Sequence, residues 1–229
     1  MSDTDTTPNG SSAASNGAPP DGAASDGAWD RPVDHWSKDP FVGRSTLHGI
    51  ASDEARSALH KHVRKGRVEP AIHIALELAR TDEDHERMLW SRLQILAAED
   101  VGMGEPHAPS IVRALREGAL DADPGSYDRL VFAAQAAGYL ARAPKDPVNV
   151  EIMQTFLLDD TAPTVPADAR CVHTRIGQEA GETMYTWFLG TFETAPESPG
   201  RDTSWRDGLV ERYRRVDPPP ARVARPPHD

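Results

Sequence analysis

Apolar residues recur at three- and four-residue spacings through the middle of this chain, the period of a helix that buries one face. Ala55, Ala58, Leu59 and Val63 share a face. Lys65-Gly66 closes that helix with a basic turn and a glycine suited to the position after a helix end. Pro70 suits the first turn of the next helix, where Ile72, Ala75, Leu76 and Ala79 form a stripe. Thr81-Asp82-Glu83-Asp84 supplies N-capping side chains for a third helix, with Leu89, Leu93 and Leu96 on one face and Trp90 and Ala97 beside them. Gly102, Gly104 and Pro106 end it. A shorter helix is expected from His107 to Glu117, stopped by Gly118. A longer one runs from Gly125 to Arg142, capped at Asp123-Pro124, with Leu130, Ala133, Ala134, Ala137 and Leu140 inward. Ala143-Pro144 stops it, and Val148 to Leu158 is a further amphipathic run. Cys171 to Leu189 reads as one helix entered near Thr174, and Ser204 to Arg215 as the last, with Trp205, Leu209 and Tyr213 on one face. No run alternates with a period of two. The pattern predicts an all-α fold, a single helical array or bundle of about seven to eight helices.

Composition changes this picture at the two ends. Met1 to Gly27 is almost wholly Ser, Thr, Ala, Gly, Asn, Asp and Pro, with too little apolar surface to offset the entropy of ordering. We therefore expect a disordered tail over 1–40, a helical domain over 41–160, an additional helical segment over 161–216 packing on it, and a Pro-rich tail over 217–229. No apolar run is long enough to span a membrane, and no basic-then-apolar signal opens the chain. The one cysteine, Cys171, cannot form an internal disulfide, and a cytoplasmic location is expected.

The net charge is −11, and the basic residues are 21 Arg against 4 Lys. Such a protein is repelled by nucleic acid unless its positive charge is gathered in one place. Lys61, Arg64, Lys65 and Arg67 are such a place, in the run HKHVRKGR. They could make sequence-blind phosphate contacts. Equally, they could complement the C-terminal end of their helix dipole or pair with the acid run from Asp82 to Glu86, itself read as a solvated joint. Small residues in AAQAAGYLARA let helix axes approach closely, either inside the array or at a seam between subunits.

Candidate chemistry is sparse. His60 and His62, two apart on a helix, point to different sides and cannot share a metal. Glu99 and Asp100 end a buried helix at a glycine corner. There they either bond backbone amides and arginines or hold a divalent ion; we expect the former, and no metal or cofactor. Cys171-x-His173 offers a nucleophile and a base but no third group. No catalytic residue is assigned.

Two segments carry a resemblance. RLQILAAEDVGMGEP ends a helix at Gly102 and Gly104, and FAAQAAGYLARAPK follows; ALHKHVRKG, PAIHIALELA and NVEIM complete a series in the same order and spacing. From about Ala58 to Phe156 the chain resembles the C-terminal helical domain of the RarA/MgsA family, relatives of the Werner-helicase-interacting protein. Those are clamp-loader-like AAA+ ATPases acting at stalled replication forks. The resemblance implies an all-helical collar that self-associates and a link to replication and repair partners, with DNA contact a further option. It does not extend to ATPase activity. GxxxxGK[ST] is absent: Gly43-Arg44-Ser45-Thr46 lacks the glycine spacing and the lysine, and Gly102-Met103-Gly104 follows a helix where a strand is needed. The expected function is a non-enzymatic, self-associating interaction protein. The alternative is a small hydrolase or nucleic-acid-processing enzyme using Glu99, Asp100 and a histidine such as His107.

Overall fold

The computed structural model describes residues 39–190 and 194–218. Most of the two expected tails lies outside the described residues. Among these, every regular element is helical, and the only β-type pairings are two isolated bridges, Ser45 with Ala51 and Gly102 with Asp146. The chain divides into two compact units between Thr155 and Phe156.

In the first unit α1 is Ser52–Arg64, α2 Val68–Thr81, α3 Glu83–Leu96, α4 Ala108–Leu120 and α5 Tyr127–Arg142; α6, Val148–Asp159, crosses the dividing point. α2 and α5 form the central pair, with α1, α3 and α4 packed around them. The core is Leu59, Val63, Leu78, Leu89, Trp90, Leu93, Leu96, Val112 and Leu140, filled in by Ala71, Ala75, Ala133, Ala136, Ala137 and Ala141. Each large member contributes roughly 1.5–3 kcal/mol of transfer free energy. Four of the five alanines of α5, Ala133, Ala136, Ala137 and Ala141, are buried here, and Ala134 is half-buried. Their smallness serves packing within this unit, so this face is not free to be a seam between subunits.

Several expected boundaries move, each for a local reason. α1 begins three residues before Ala55, because Ser52 is buried and its N–H donates to the carbonyl of Arg44. α4 runs through Gly118 to Leu120: a Cβ at Gly118 would sit 2.9 Å from the Phe132 ring, so this glycine lets α4 lie close on α5. Ser126, not Asp123, caps α5, its hydroxyl accepting from the N–H of Arg129. The acid run is not a uniformly solvated joint either. Glu86 is buried and pairs with Arg129 at 2.8 Å, while the Trp90 indole N–H donates to it at 3.4 Å. α6 is not amphipathic in effect; it buries none of its side chains.

The second unit holds a 3-10 turn (Ala167–Ala169), α7 (Arg175–Glu179), α8 (Met184–Gly190) and α9 (Ser204–Val216). The single helix expected over Cys171–Leu189 is thus two. Thr174 does cap the first, accepting from Gly177 N–H at 3.1 Å. Gly181, at φ +81, then turns the chain into a conformation that a helix cannot continue. Trp187, Phe188 and Tyr213 interlock, with Phe188 stacked on Tyr213 at 5.0 Å, and the Met184 N–H donates to Asp217 at 2.7 Å. Trp205 stands out from this cluster and is 82% exposed.

Candidate functional site

The two segments that stood out in the sequence meet in space. α3 ends in a π-turn, Ala97–Val101, closed by Gly102 N–H donating to the Ala97 carbonyl. The next residues run beside the stretch that leaves α5: Met103 N–H donates to Asp146 O and Asp146 N–H to Val101 O, each at 3.1 Å. Only glycine fits this joint. Gly102 has φ +51 and ψ −126, and a Cβ there would lie 2.3 Å from the Asp146 carbonyl oxygen; at Gly104 it would lie 2.6 Å from that of Pro144. Lys145 fastens the other side by donating its ammonium to the carbonyls of Leu140, Ala141 and Ala143 at the end of α5.

The π-turn also aims two neighbouring carboxylates the same way. Successive residues in an α-turn diverge by about 100°, yet Glu99 and Asp100 both reach Arg64 of α1. Arg64 Nη2 is 3.3 Å from Glu99 Oε1, and its Nε bonds Asp100 Oδ1. His60, one turn back on α1, completes the group: its Nε2 is 2.7 Å from Asp100 Oδ2, 3.8 Å from Glu99 Oε1 and 2.6 Å from Arg64 Nη2. Burial raises the Asp100 pKa, but His60 and Arg64 more than offset it and hold the carboxyl below its ordinary value. The expected pairing of these carboxylates with an arginine is thus present. The histidine that meets them is His60. His107 is exposed, and its N–H donates to Glu105. In the sequence His60 has only His62 as a neighbouring candidate ligand, because its actual partners, Glu99 and Asp100, lie about forty residues downstream. His62 is half-buried.

Of the basic cluster, Arg64 is engaged with these carboxylates and not with the acid run. Lys61, Lys65 and Arg67 are exposed, Lys61 donating to Ser57. The acid run has other partners: Arg44 pairs with Asp82 and Asp84, and Arg87 with Glu83 and Asp84.

A second constellation was illegible in the sequence. Ser52 Oγ lies 2.8 Å from His85 Nε2, and His85 Nδ1 lies 2.7 Å from Asp82 Oδ1. With Asp82 fixing the proton on Nδ1, Nε2 accepts from the Ser52 hydroxyl, the connectivity of a nucleophile, base and orienting acid. Access decides its role. Ser52 has no exposed surface and His85 only 1%, and Phe41 sits edge-on to the His85 ring at 5.3 Å. Asp82 caps α3 through the His85 N–H. The trio fastens the starts of α1 and α3 to each other; a substrate carbonyl cannot reach Oγ without opening the core. Beside it, Glu77 accepts from the His48 N–H at 2.8 Å and meets its ring at 2.5 Å. Burial raises the Glu77 pKa, yet hydrogen bonds from Thr46 and His48 prevail and bring it to about 2.

In the second unit Cys171 Sγ comes within 3.5 Å of His173 Nδ1, and the His173 ring meets Trp187 edge-on. No acidic side chain joins them among the described contacts.

No helix among the described residues is long and apolar enough to cross a membrane. No protein-family model matches this chain, and no curated protein matches it.

Proposed function

We propose that this chain is a non-enzymatic, self-associating helical protein of the RarA/MgsA collar type, serving as an accessory or interaction module in DNA replication or repair. The observation that carries the reading is the joint between Val101–Gly104 and Pro144–Asp146. The strings most specific to the resemblance touch each other, and their glycines are needed where they stand. Self-association is supported by α6, where Val148, Ile152 and Met153 are exposed apolar side chains on neighbouring turns. The enzyme reading loses support at Glu99 and Asp100, and the Ser52 group that only the fold assembles does not restore it. Glu99 and Asp100 are paired to Arg64, and the Ser52 hydroxyl is sealed.

Light scattering after gel filtration is the test. The expected result is a mass of a dimer or more that falls toward the monomer's 24.9 kDa in Ile152→Glu/Met153→Glu. A wild-type monomer at concentrations on the order of 50 µM overturns the self-association. A serine-directed fluorophosphonate should leave Ser52 unlabelled; labelling would revive the hydrolase. The DNA link rests on Lys61, Lys65 and Arg67, since Arg64 is engaged. Absence of binding to forked DNA at about 50 mM salt, where such contacts are strong, would leave protein partners alone.

A further inference from the structure

The His60–Arg64–Glu99–Asp100 group does not satisfy its own hydrogen-bonding arithmetic. His60 Nε2 carries either a proton or a lone pair, and it faces two neighbours that want opposite things. Arg64 Nη2, at 2.6 Å, can only donate, so that contact requires a lone pair on Nε2. Asp100 Oδ2, at 2.7 Å, can only accept when ionised, so that contact requires a proton. Asp100 is 5% exposed, and its Oδ2 is buried without a hydrogen-bond partner despite the short approach of the ring. A buried carboxylate oxygen left in this way costs the full desolvation of that group.

We propose that His60, Glu99 and Asp100 form a site for a divalent transition cation of the Zn2+ class, with Arg64 competing for the same atoms. A cation placed among Nε2, Oδ2 and Glu99 Oε1 takes a lone pair from each and removes the conflict. The three ligand atoms lie within 4.8 Å of one another. The 2.7 and 3.8 Å from Nε2 bracket the roughly 2.9–3.4 Å between ligands of an ion held at about 2.0–2.1 Å. One imidazole with two carboxylates favours zinc over magnesium, which prefers oxygen ligands and holds its water. Three protein ligands leave a position for water. Entry is from the side of Glu99, whose side chain is 33% exposed, and Arg64, 48% exposed, has solvent to swing into. Its release leaves two carboxylates against a double positive charge. Lys145 acts electrostatically on Asp100 and is tied to the α5 carbonyls, so its charge stays nearby and limits the affinity.

The experiment uses the full chain carrying Cys171→Ser, so that the Cys171–His173 pair cannot supply ligands. The protein is stripped with EDTA and titrated with zinc chloride by calorimetry, and with Co2+ followed by visible absorption. One zinc per chain is expected. His60→Ala and Glu99→Gln should each weaken it at least about tenfold, and Arg64→Met should tighten it by about tenfold. Glu99 is partly exposed, so Glu99→Gln keeps the test decisive if His60→Ala or Arg64→Met fails to fold. Magnesium should give no comparable binding. Zinc affinity unmoved by Glu99→Gln or His60→Ala overturns the site, as does weakening in a folded Arg64→Met. No binding up to about 1 mM zinc in the parent chain also overturns it.

Discussion

Gly102→Ala measures the joint between α3 and the segment after α5. Two costs add. At φ +51 and ψ −126 an L side chain sits in a region almost confined to glycine, costing of order 1–3 kcal/mol. The new Cβ also meets the Asp146 carbonyl oxygen at 2.3 Å, which is backbone and cannot rotate aside. Moving it to an ordinary contact breaks the Met103–Asp146 and Asp146–Val101 bonds, at about 0.5–1.5 kcal/mol each. The sum is about 2–6 kcal/mol. Gly125→Ala is the control: its φ is +73, but nothing lies within 4 Å of a Cβ, so only the backbone term applies, about 1–2 kcal/mol. Both glycines lie in the first unit, and the entropy change of the unfolded chain is common to both substitutions. Urea denaturation followed by far-UV circular dichroism should show Gly102→Ala less stable than Gly125→Ala by about 2–3 kcal/mol. Equal midpoints for the two variants would refute the argument that the clash locks the joint.

Two further predictions follow from buried charges. Arg129→Ala strands Glu86, 10% exposed at its side chain, and should destabilise by about 3–5 kcal/mol, whereas the pair Glu86→Leu/Arg129→Met should cost far less in the same denaturation assay. Glu77 has a folded-state pKa near 2 against an ordinary 4.5. Its contribution is therefore present above pH 4.5 and lost as pH falls toward 2. After allowing for screening at the exposed His48 ring, this amounts to roughly 1–2 kcal/mol, and Glu77→Gln should flatten that part of the acid limb in pH-dependent melts.

The apolar period and the Gly and Pro punctuation were enough to place the helices of the first unit within a few residues. These are local properties: a stripe at i, i+3, i+4 needs only a partner face, and a glycine or proline stops a helix without tertiary help. The burial of Ala133, Ala137 and Leu140 on α5 was legible for the same reason, while Leu130 and Ala134 are only half-buried. Where the signal depended on a neighbour far along the chain, reading failed. Gly118 looks like a stop until Phe132 is beside it, and Glu86 looks solvated until Arg129, forty-three residues on, reaches it. In the candidate site, Glu99, Asp100, Gly102 and Gly104 were visible from their place at a helix end. The roles of Arg64 and His60 were not, because the widened turn at Ala97–Val101 sets where the carboxylates point. Ser52, His85 and Asp82 come together only through the packing of α1 on α3, and that same packing, by sealing Ser52, decides that they hold the fold together. Sequence determined which segments of the first unit are helices and the buried faces of α1 and α3. By contrast, α2 buries Ala71, Ala75 and Leu78 with the expected Ile72, Leu76 and Ala79 only half-buried, and α6 and α9 bury no side chain. Tertiary contact decided which charges find partners, since pairing depends on side-chain ends brought together from distant turns.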